Sequence, residues 1–162
     1  MTDAIPTLQI RLATPDDRPR LILVINAAFA IETFLEGTRT DDERLAAMMK
    51  KGEILLAEDS SGQLLACIYS ETHGTRGYLG MLAVDPAHQR YGLGKQMLAA
   101  AENHFRARGC DAIDITVLSL RPELLPIYKR LGFVETGTEE FRMSRDLKDG
   151  RECHCIKMSK PL

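Results

Sequence analysis

Apolar positions along this chain switch between a period of two and a period near 3.6, and the switches mark out the elements. Residues 8–12 (LQIRL) alternate and predict a first strand. Thr14-Pro15-Asp16-Asp17 then supplies an N-cap, a proline at the first helical position and acids in the first turn. The helix it opens carries the stripe Leu21, Ile22, Ile25, Ala28 and Phe29. A less regular stretch over 31–39 includes Glu32, Phe34 and Glu36. Thr40-Asp41-Asp42-Glu43 reads as a capping box for a short second helix through Leu45, Met48 and Met49, which Gly52 ends. Residues 54–58 and 64–69 read as strands joined by Asp59-Ser60-Ser61-Gly62. The turn His73-Gly74-Thr75-Arg76-Gly77 leads into a third strand beginning at Tyr78, whose apolar run 79–84 stops at Asp85-Pro86.

Next comes a helical pattern in Leu93, Met97, Leu98, Ala101 and Phe105, with Gly109 where a left-handed stop belongs. Residues 112–118 alternate Ile113, Ile115 and Val117 against Asp114 and Thr116, a strand. Residues 122–131 form a short helix in which Pro126 is tolerable only within the first turn. Val134 begins another strand, residues 145–152 are polar and loop-like, and a last strand is expected over 154–158. There is no repeat, low-complexity tract or linker, so 1–162 reads as a single domain.

The most informative segment is strand, glycine-containing loop, helix: Leu79 to Val84, then Gln89-Arg90-Tyr91-Gly92-Leu93-Gly94, then the central helix. Such an arrangement aims free backbone N–H groups and the positive end of a helix dipole at one point, which suits a phosphate. A Walker A loop would need glycine at Gln89 and a hydroxyl residue at Gln96, so Gly94-Lys95 is only a fragment of one. A Rossmann fingerprint fails at Met97. The form that fits is Gln-x-x-Gly-x-Gly after a Leu-x-Val-Asp-Pro strand end, and in this the segment resembles the GNAT superfamily of N-acetyltransferases. A second match is Tyr128-Lys129-Arg130-Leu131-Gly132-Phe133, the family's Tyr-x-x-x-Gly-Phe. The element order agrees over nearly the whole chain.

The resemblance implies an α/β (α+β) GNAT fold, a mixed and mostly antiparallel sheet of about six to seven strands flanked by about four helices. It implies an acetyl-CoA-dependent N-acetyltransferase with acetyl-CoA as cosubstrate, in which an amine attacks directly in a ternary complex. The loop Gln89, Arg90, Tyr91, Gly92, Leu93, Gly94 and Lys95 would hold the pyrophosphate. The main chain of Leu82, Ala83 and Val84 would pair with the pantetheine arm, and Tyr128 would be general acid to the departing thiolate. A phenol titrates near pH ~10, so it is protonated when the thiolate leaves. Arg121 stands where many members have Asn; it has donors only and reaches farther, so a contact to cofactor phosphates, a contact to an anionic substrate group and a place at the helix start all stay open. Tyr78 stands where many relatives begin the strand with Glu. The candidate general bases are therefore Glu32, in the segment expected to cover the substrate cleft, and Glu71, with His73 as a further option.

Composition adds mostly exclusions. A formal net charge of −2 gives no electrostatic reason to expect nucleic acid or an anionic membrane. No apolar run approaches a bilayer span, and MTDAIPTLQIRL lacks the basic and apolar regions of a secretory signal. Cys67, Cys110, Cys153 and Cys155 do not form a disulfide framework, and Cys153-His154-Cys155 has no second ligand pair, so no metal is expected. Reduced thiols and a cytoplasmic location are the plain expectation. The acceptor is expected to be a primary amine on a small molecule; acetylation of a protein N-terminus or lysine, and a non-catalytic acyl-CoA-binding module, are the alternatives. Apolar residues near 31–35 could line a substrate cleft or a homodimer contact.

Overall fold

Seven strands and four helices succeed one another as the periodicities require. The computed structural model describes residues 7–162 apart from Arg90 and Ser144. In chain order the elements are β1 (Gln9–Leu12), α1 (Arg18–Phe29), α2 (Asp42–Lys51), β2 (Glu53–Glu58), β3 (Leu64–His73), β4 (Arg76–Val84), α3 (Leu93–Ala107), β5 (Ala112–Leu118), α4 (Leu124–Arg130), β6 (Val134–Glu140) and β7 (His154–Pro161). Short 3-10 turns at Pro15–Asp17 and Pro86–His88 lead toward α1 and α3. All the strands join one sheet in the order β1-β2-β3-β4-β5-β7-β6. Every neighbouring pair is antiparallel except β4 and β5, which α3 connects as a parallel crossover.

Helices cover both faces of the sheet. On one face Leu21 and Ile25 of α1 and Leu45 of α2 pack on Ile54, Leu56, Cys67 and Tyr69. On the other, Met97, Leu98, Ala101 and Phe105 of α3 pack on Leu55, Ala57, Ala66 and Ile68, with Leu124, Leu125 and Tyr128 of α4 at the margin. The stripes read from the sequence are the faces that are buried, since burial of apolar area is what fixes an amphipathic helix in place.

Boundaries moved where pairing or capping outweighed local pattern. The β3–β4 ladder runs on to His73↔Arg76 through polar residues, so β4 begins at Arg76 rather than Tyr78 and the turn shrinks to Gly74-Thr75. The cap of α2 is Asp41, whose carboxylate accepts the Arg44 N–H at 2.8 Å, in place of Thr40. Helix α4 starts at Leu124 instead of 122, which puts Pro126 within its first turn, where no intrahelical donor is missed. β7 extends to Pro161 because its pairing with β5 runs on to Ala112↔Pro161, while β6 pairs with it as far as Ser159. Among the described residues no helix is long and apolar enough to cross a membrane.

The irregularity that shapes the site is in β4. Cys67 pairs with Ala83 and Tyr69 with Gly80, so Met81 and Leu82 stand opposite the single residue Ile68. This is a β-bulge, and Met81 takes a φ of 52° to make it. The extra residue reverses the facing of the rest of the strand. Leu79, Leu82 and Val84 pack on the α3 side, whereas Met81 and Ala83 pack on the α1 side. Pairing of β4 with β5 covers only Arg76↔Ala112 to Tyr78↔Asp114. Beyond it the strands part, β5 staying with β7 through Leu118 while β4 stays with β3.

The α1 end of the sheet is pinned by Asp17, only 5% exposed. Its carboxylate accepts from Arg11 at 2.8 and 2.9 Å, from Arg20 at 2.8 Å and from the Thr14 N–H at 2.7 Å. The Arg11 hydrogen bond holds this carboxyl well below the usual range; burial opposes it, and Thr14 and Arg20 reinforce it. A folded-state value depressed in this way gives stability present above the unfolded carboxylate value near pH ~4 and lost as pH falls through the folded one. Asp17→Asn should lower unfolding stability by about 2 kcal/mol at neutral pH. In urea melts the gap to the parent chain should narrow below pH ~4, and an equal gap at both pH values would contradict the ion-pair account.

Candidate active site

Where β4 and β5 part, a cleft of about 710 Å³ opens through the sheet. Its walls come from both faces: Phe29, Glu32 and Arg39 from α1 and the segment after it, Leu82 and Val84 from β4, Gly94 and Lys95 from α3, Arg121 and Tyr128 from the β5–α4 region. On the β4 side the backbone from Leu79 to Val84 has no strand partner facing β5. An extended chain can lie along that edge as one more strand would.

The edge leads to the start of α3. Gly92 occupies the N-cap position with φ 71°, in the left-handed region that glycine adopts without strain. A glycine cap offers no side-chain oxygen, and the first helical bond is Gln96 N–H to the Gly92 carbonyl at 3.2 Å. The N–H groups of residues 93–95 therefore have no intrahelical partner and meet an anion with the helix dipole behind them. A side chain at Gly92 would meet open space, and at Gly94 only Leu82 Cδ2 at 3.9 Å, so this surface is bare and can be approached closely.

The other expected loop residues take different places. The Gln89 side-chain amide donates to the Val84 carbonyl at 3.3 Å, tying loop to strand end. Tyr91 turns toward the His88 ring, 6.2 Å away, and does not line the cleft. Leu93 is wholly buried and Lys95 is exposed, so Leu93 can serve only through its main chain. Ala83 packs its methyl on the α1 side. Arg90 lies outside the described residues.

Tyr128 stands on α4 with its ring edge-on to Phe133, centroids 5.7 Å apart, and it lines the cleft. Burial pushes its phenol above the ordinary value, and the charge of Arg121 pulls it part of the way back. It therefore stays protonated well past neutral pH. Glu32 also lines the cleft and is 5% exposed. One of its oxygens accepts from Arg121 at 2.9 Å, and the other lies 3.6 Å from Arg145. Arg121 is shared with Glu123 at 2.6 Å; its burial is outweighed by these two carboxylates, and its value is raised. Glu71 lies across the β3–β4 ladder from Tyr78, accepts from the Tyr69 hydroxyl at 2.8 Å and meets His73 at 3.0 Å. It is not among the residues that line the cleft.

Several cleft residues had carried no signal of their own in the sequence. Arg39, Arg142 and Tyr78 line the cleft, and Arg145 stands behind Glu32. Burial raises the Tyr78 phenol, with the Thr116 hydroxyl and Arg39 opposing. Arg145, 6% exposed, donates to the Glu36 and Gly37 carbonyls at 2.9 and 3.0 Å. Together with a Leu35↔Leu147 bridge and a Glu36 N–H to Asp146 carbonyl bond of 2.8 Å, it straps the segment after α1 to the β6–β7 loop. Only proximity across 109 residues makes Arg145 a partner of this segment, and no local motif encodes that. Cys155 is buried and Cys153 half-buried, and among the described residues no group of His, Cys, Asp and Glu is arranged to hold a metal.

The model for the family described as "Acetyltransferase (GNAT) domain" matches residues 23–145, most of the chain. The chain belongs to this family. Among curated proteins the GNAT chain is 31% identical over 140 residues to mycothiol acetyltransferase of Saccharopolyspora erythraea, covering 83% of this chain and 46% of that protein. It is 30% identical over 112 residues to glucosamine 6-phosphate N-acetyltransferase 1 of Oryza sativa subsp. japonica, covering 64% of this chain and 66% of that one. The chain thus spans about half the length of the mycothiol acetyltransferase it matches. Among solved structures, the ribosomal-protein-S18-alanine N-acetyltransferase of Escherichia coli superposes with a TM-score of 0.76 at 21% identity, over 96% of this chain and 94% of that one. A Salmonella typhimurium structure with its cofactor acetyl-CoA superposes with a TM-score of 0.72 at 20% identity, over 96% and 94%. The seven-stranded mixed sheet with four helices is the fold these structures share with the chain.

In this GNAT domain Glu32 stands between the guanidinium groups of Arg121 and Arg145. Among the described residues its removal leaves Arg145 with no carboxylate and Arg121 with only the exposed Glu123. Breaking a buried ion pair from one side costs about 3 to 5 kcal/mol. Glu32→Ala should therefore lower stability by an amount in that range in chemical denaturation, whereas Glu123→Ala, whose partner Arg121 keeps Glu32, should cost less than about 1 kcal/mol. Equal losses in the two variants would contradict a cluster centred on Glu32.

Proposed function

We propose that this chain is an acetyl-CoA-dependent N-acetyltransferase whose acceptor is a primary amine on a small molecule, attacking directly in a ternary complex. The observation that carries the reading is the junction of three features in one cleft: an unpaired β4 edge, a bare glycine-capped helix start at its end, and a half-buried protonated phenol. Membership of the GNAT family supports the same chemistry.

Acetyl-CoA supplies the activated acyl group as a thioester. The N–H groups of residues 93–95 and the close approach allowed by Gly92 and Gly94 hold its pyrophosphate, with Lys95 adding charge at the rim. The edge of β4 at Leu82 and Val84 holds the extended arm. Tyr128 keeps its proton at Oη and gives it to the departing sulfur, whose basicity in water is close to that of a phenol. Glu32 and Glu71 are the carboxylates proposed to take the amine proton, directly or through water. Glu32 has the stronger claim, because it lines the cleft.

A small acceptor is favoured over a peptide by the strap between the segment after α1 and the β6–β7 loop. A polypeptide acceptor lying between these segments would need an open groove there, and Arg145 and the Leu35↔Leu147 bridge join them.

Calorimetry with acetyl-CoA, paired with thiol release against polyamines, amino acids, aminoglycosides and short peptides, tests the reading. Binding with release from one class of small amine is expected; no acetyl-CoA binding would defeat it. Tyr128→Phe should bind acetyl-CoA as the parent does and turn over at least about tenfold more slowly. Unchanged turnover would remove Tyr128 as the acid. The acidic limb of the pH–rate profile should be altered in Glu32→Gln or Glu71→Gln, and its retention in both would assign the base elsewhere.

A further inference from the structure

Four arginines lie in or beside the cleft, and one of them, half-buried, has a buried Nε–H without an acceptor. Arg121 is engaged by Glu32 and Glu123, and Arg145 by two carbonyls and Glu32. Arg142 is exposed at the rim. Arg39 lines the cleft, its Nε is buried without a hydrogen-bond partner, and no described residue forms an ion pair with it. Its guanidinium carbon instead lies over the Phe29 ring, 5.1 Å from the centroid. Burial draws its value below the usual one, Glu32 opposing, with the charges of Arg145 and Arg44 adding to the fall. A guanidinium does not respond to such an environment by losing its proton. Buried donors without acceptors are rare in folded proteins, and a bound anion is the simplest acceptor for this one.

The anion is not part of the cofactor. Arg39 comes after α1 on the face of the sheet covered by α1 and α2, whereas the glycine-capped start of α3 lies on the opposite face. The carboxylate of the chain that is buried in this corner, Glu32, already neutralises Arg121 and Arg145. Glu139 and Glu140 of β6 line the same cleft. We infer that the acceptor is an amine that also carries a carboxylate or phosphate, and that Arg39 pairs with that anionic group. The inference rests on the acetyltransferase reading and narrows its substrate class.

The test compares matched acceptors, amino acids against their amides and aminoalkyl phosphates against the parent amino alcohols, with wild type, Arg39→Met and Arg39→Lys. Wild type should favour the anionic member of at least one pair by about tenfold or more in kcat/KM. Arg39→Met should collapse that ratio mainly through KM, and Arg39→Lys should restore part of it. Loss of the ratio in carboxylate pairs alone, or in phosphate pairs alone, tells which anion is recognised. Retained acetyl-CoA affinity in both variants shows that the fold and the cofactor site persist. Preference for neutral or polycationic amines, or a ratio unmoved by Arg39→Met, overturns the inference while leaving acetyl transfer intact. Should no amine of the panel react, N-acetylglycine and inorganic phosphate are titrated into the CoA-saturated protein. Binding that Arg39→Met abolishes supports the site, and absence of binding overturns it. Failure of the wild-type chain to bind acetyl-CoA would overturn both readings together.

Discussion

The parting of β4 from β5 is the constraint on which the rest of the site depends. Two parallel strands that begin in register at Arg76 and Ala112 would continue side by side if both stayed regular. The bulge at Met81-Leu82 turns β4 away, and β5 is drawn the other way by seven consecutive pairs with β7. The sheet thereby exposes a run of backbone that it would otherwise satisfy internally. Buried main-chain donors and acceptors demand partners, so an edge of this kind inside a protein amounts to a binding site for something extended and hydrogen-bonding.

Around that opening the two helical layers do different work. The α3 layer ends in a glycine-capped N-terminus, and its apolar stripe anchors the helix on the sheet through Phe105, Met97 and Ala101. The α1 layer ends in an irregular segment rich in charge, held by Arg145 and by the Glu32 cluster to the β6–β7 loop. The two layers meet at the cleft, which Tyr128 lines from α4.

The Glu32 cluster shows how a single carboxylate gathers charges from distant parts of the chain. Its two oxygens face Arg121 and Arg145, which come from elements far apart in sequence, and a third guanidinium, Arg39, stands near with its Nε–H unaccepted. Three guanidinium groups around one buried carboxylate leave this corner with an excess of positive charge.

Much of this was legible in the sequence because it is local. The apolar stripe from Leu93 to Phe105, the alternation over 112–118, and the two glycines after Gln89 are each set by neighbours within a few residues, and local geometry needs only those. Tyr128 and the loop were found by motif for the same reason. The bulge was not legible: the apolar run 79–84 reads as one continuous strand, and only the pairing with β3 reveals the extra residue that puts Met81 and Ala83 on the α1 side. Nor were the partners of Glu32. Arg121 lies 89 residues away along the chain and Arg145 farther still, so their convergence is decided by how the layers pack. Sequence alone determined which elements form and where the glycine-bearing loop before α3 falls; tertiary structure decided where the sheet opens and which charges face the gap, because those depend on contacts between segments that no local pattern connects.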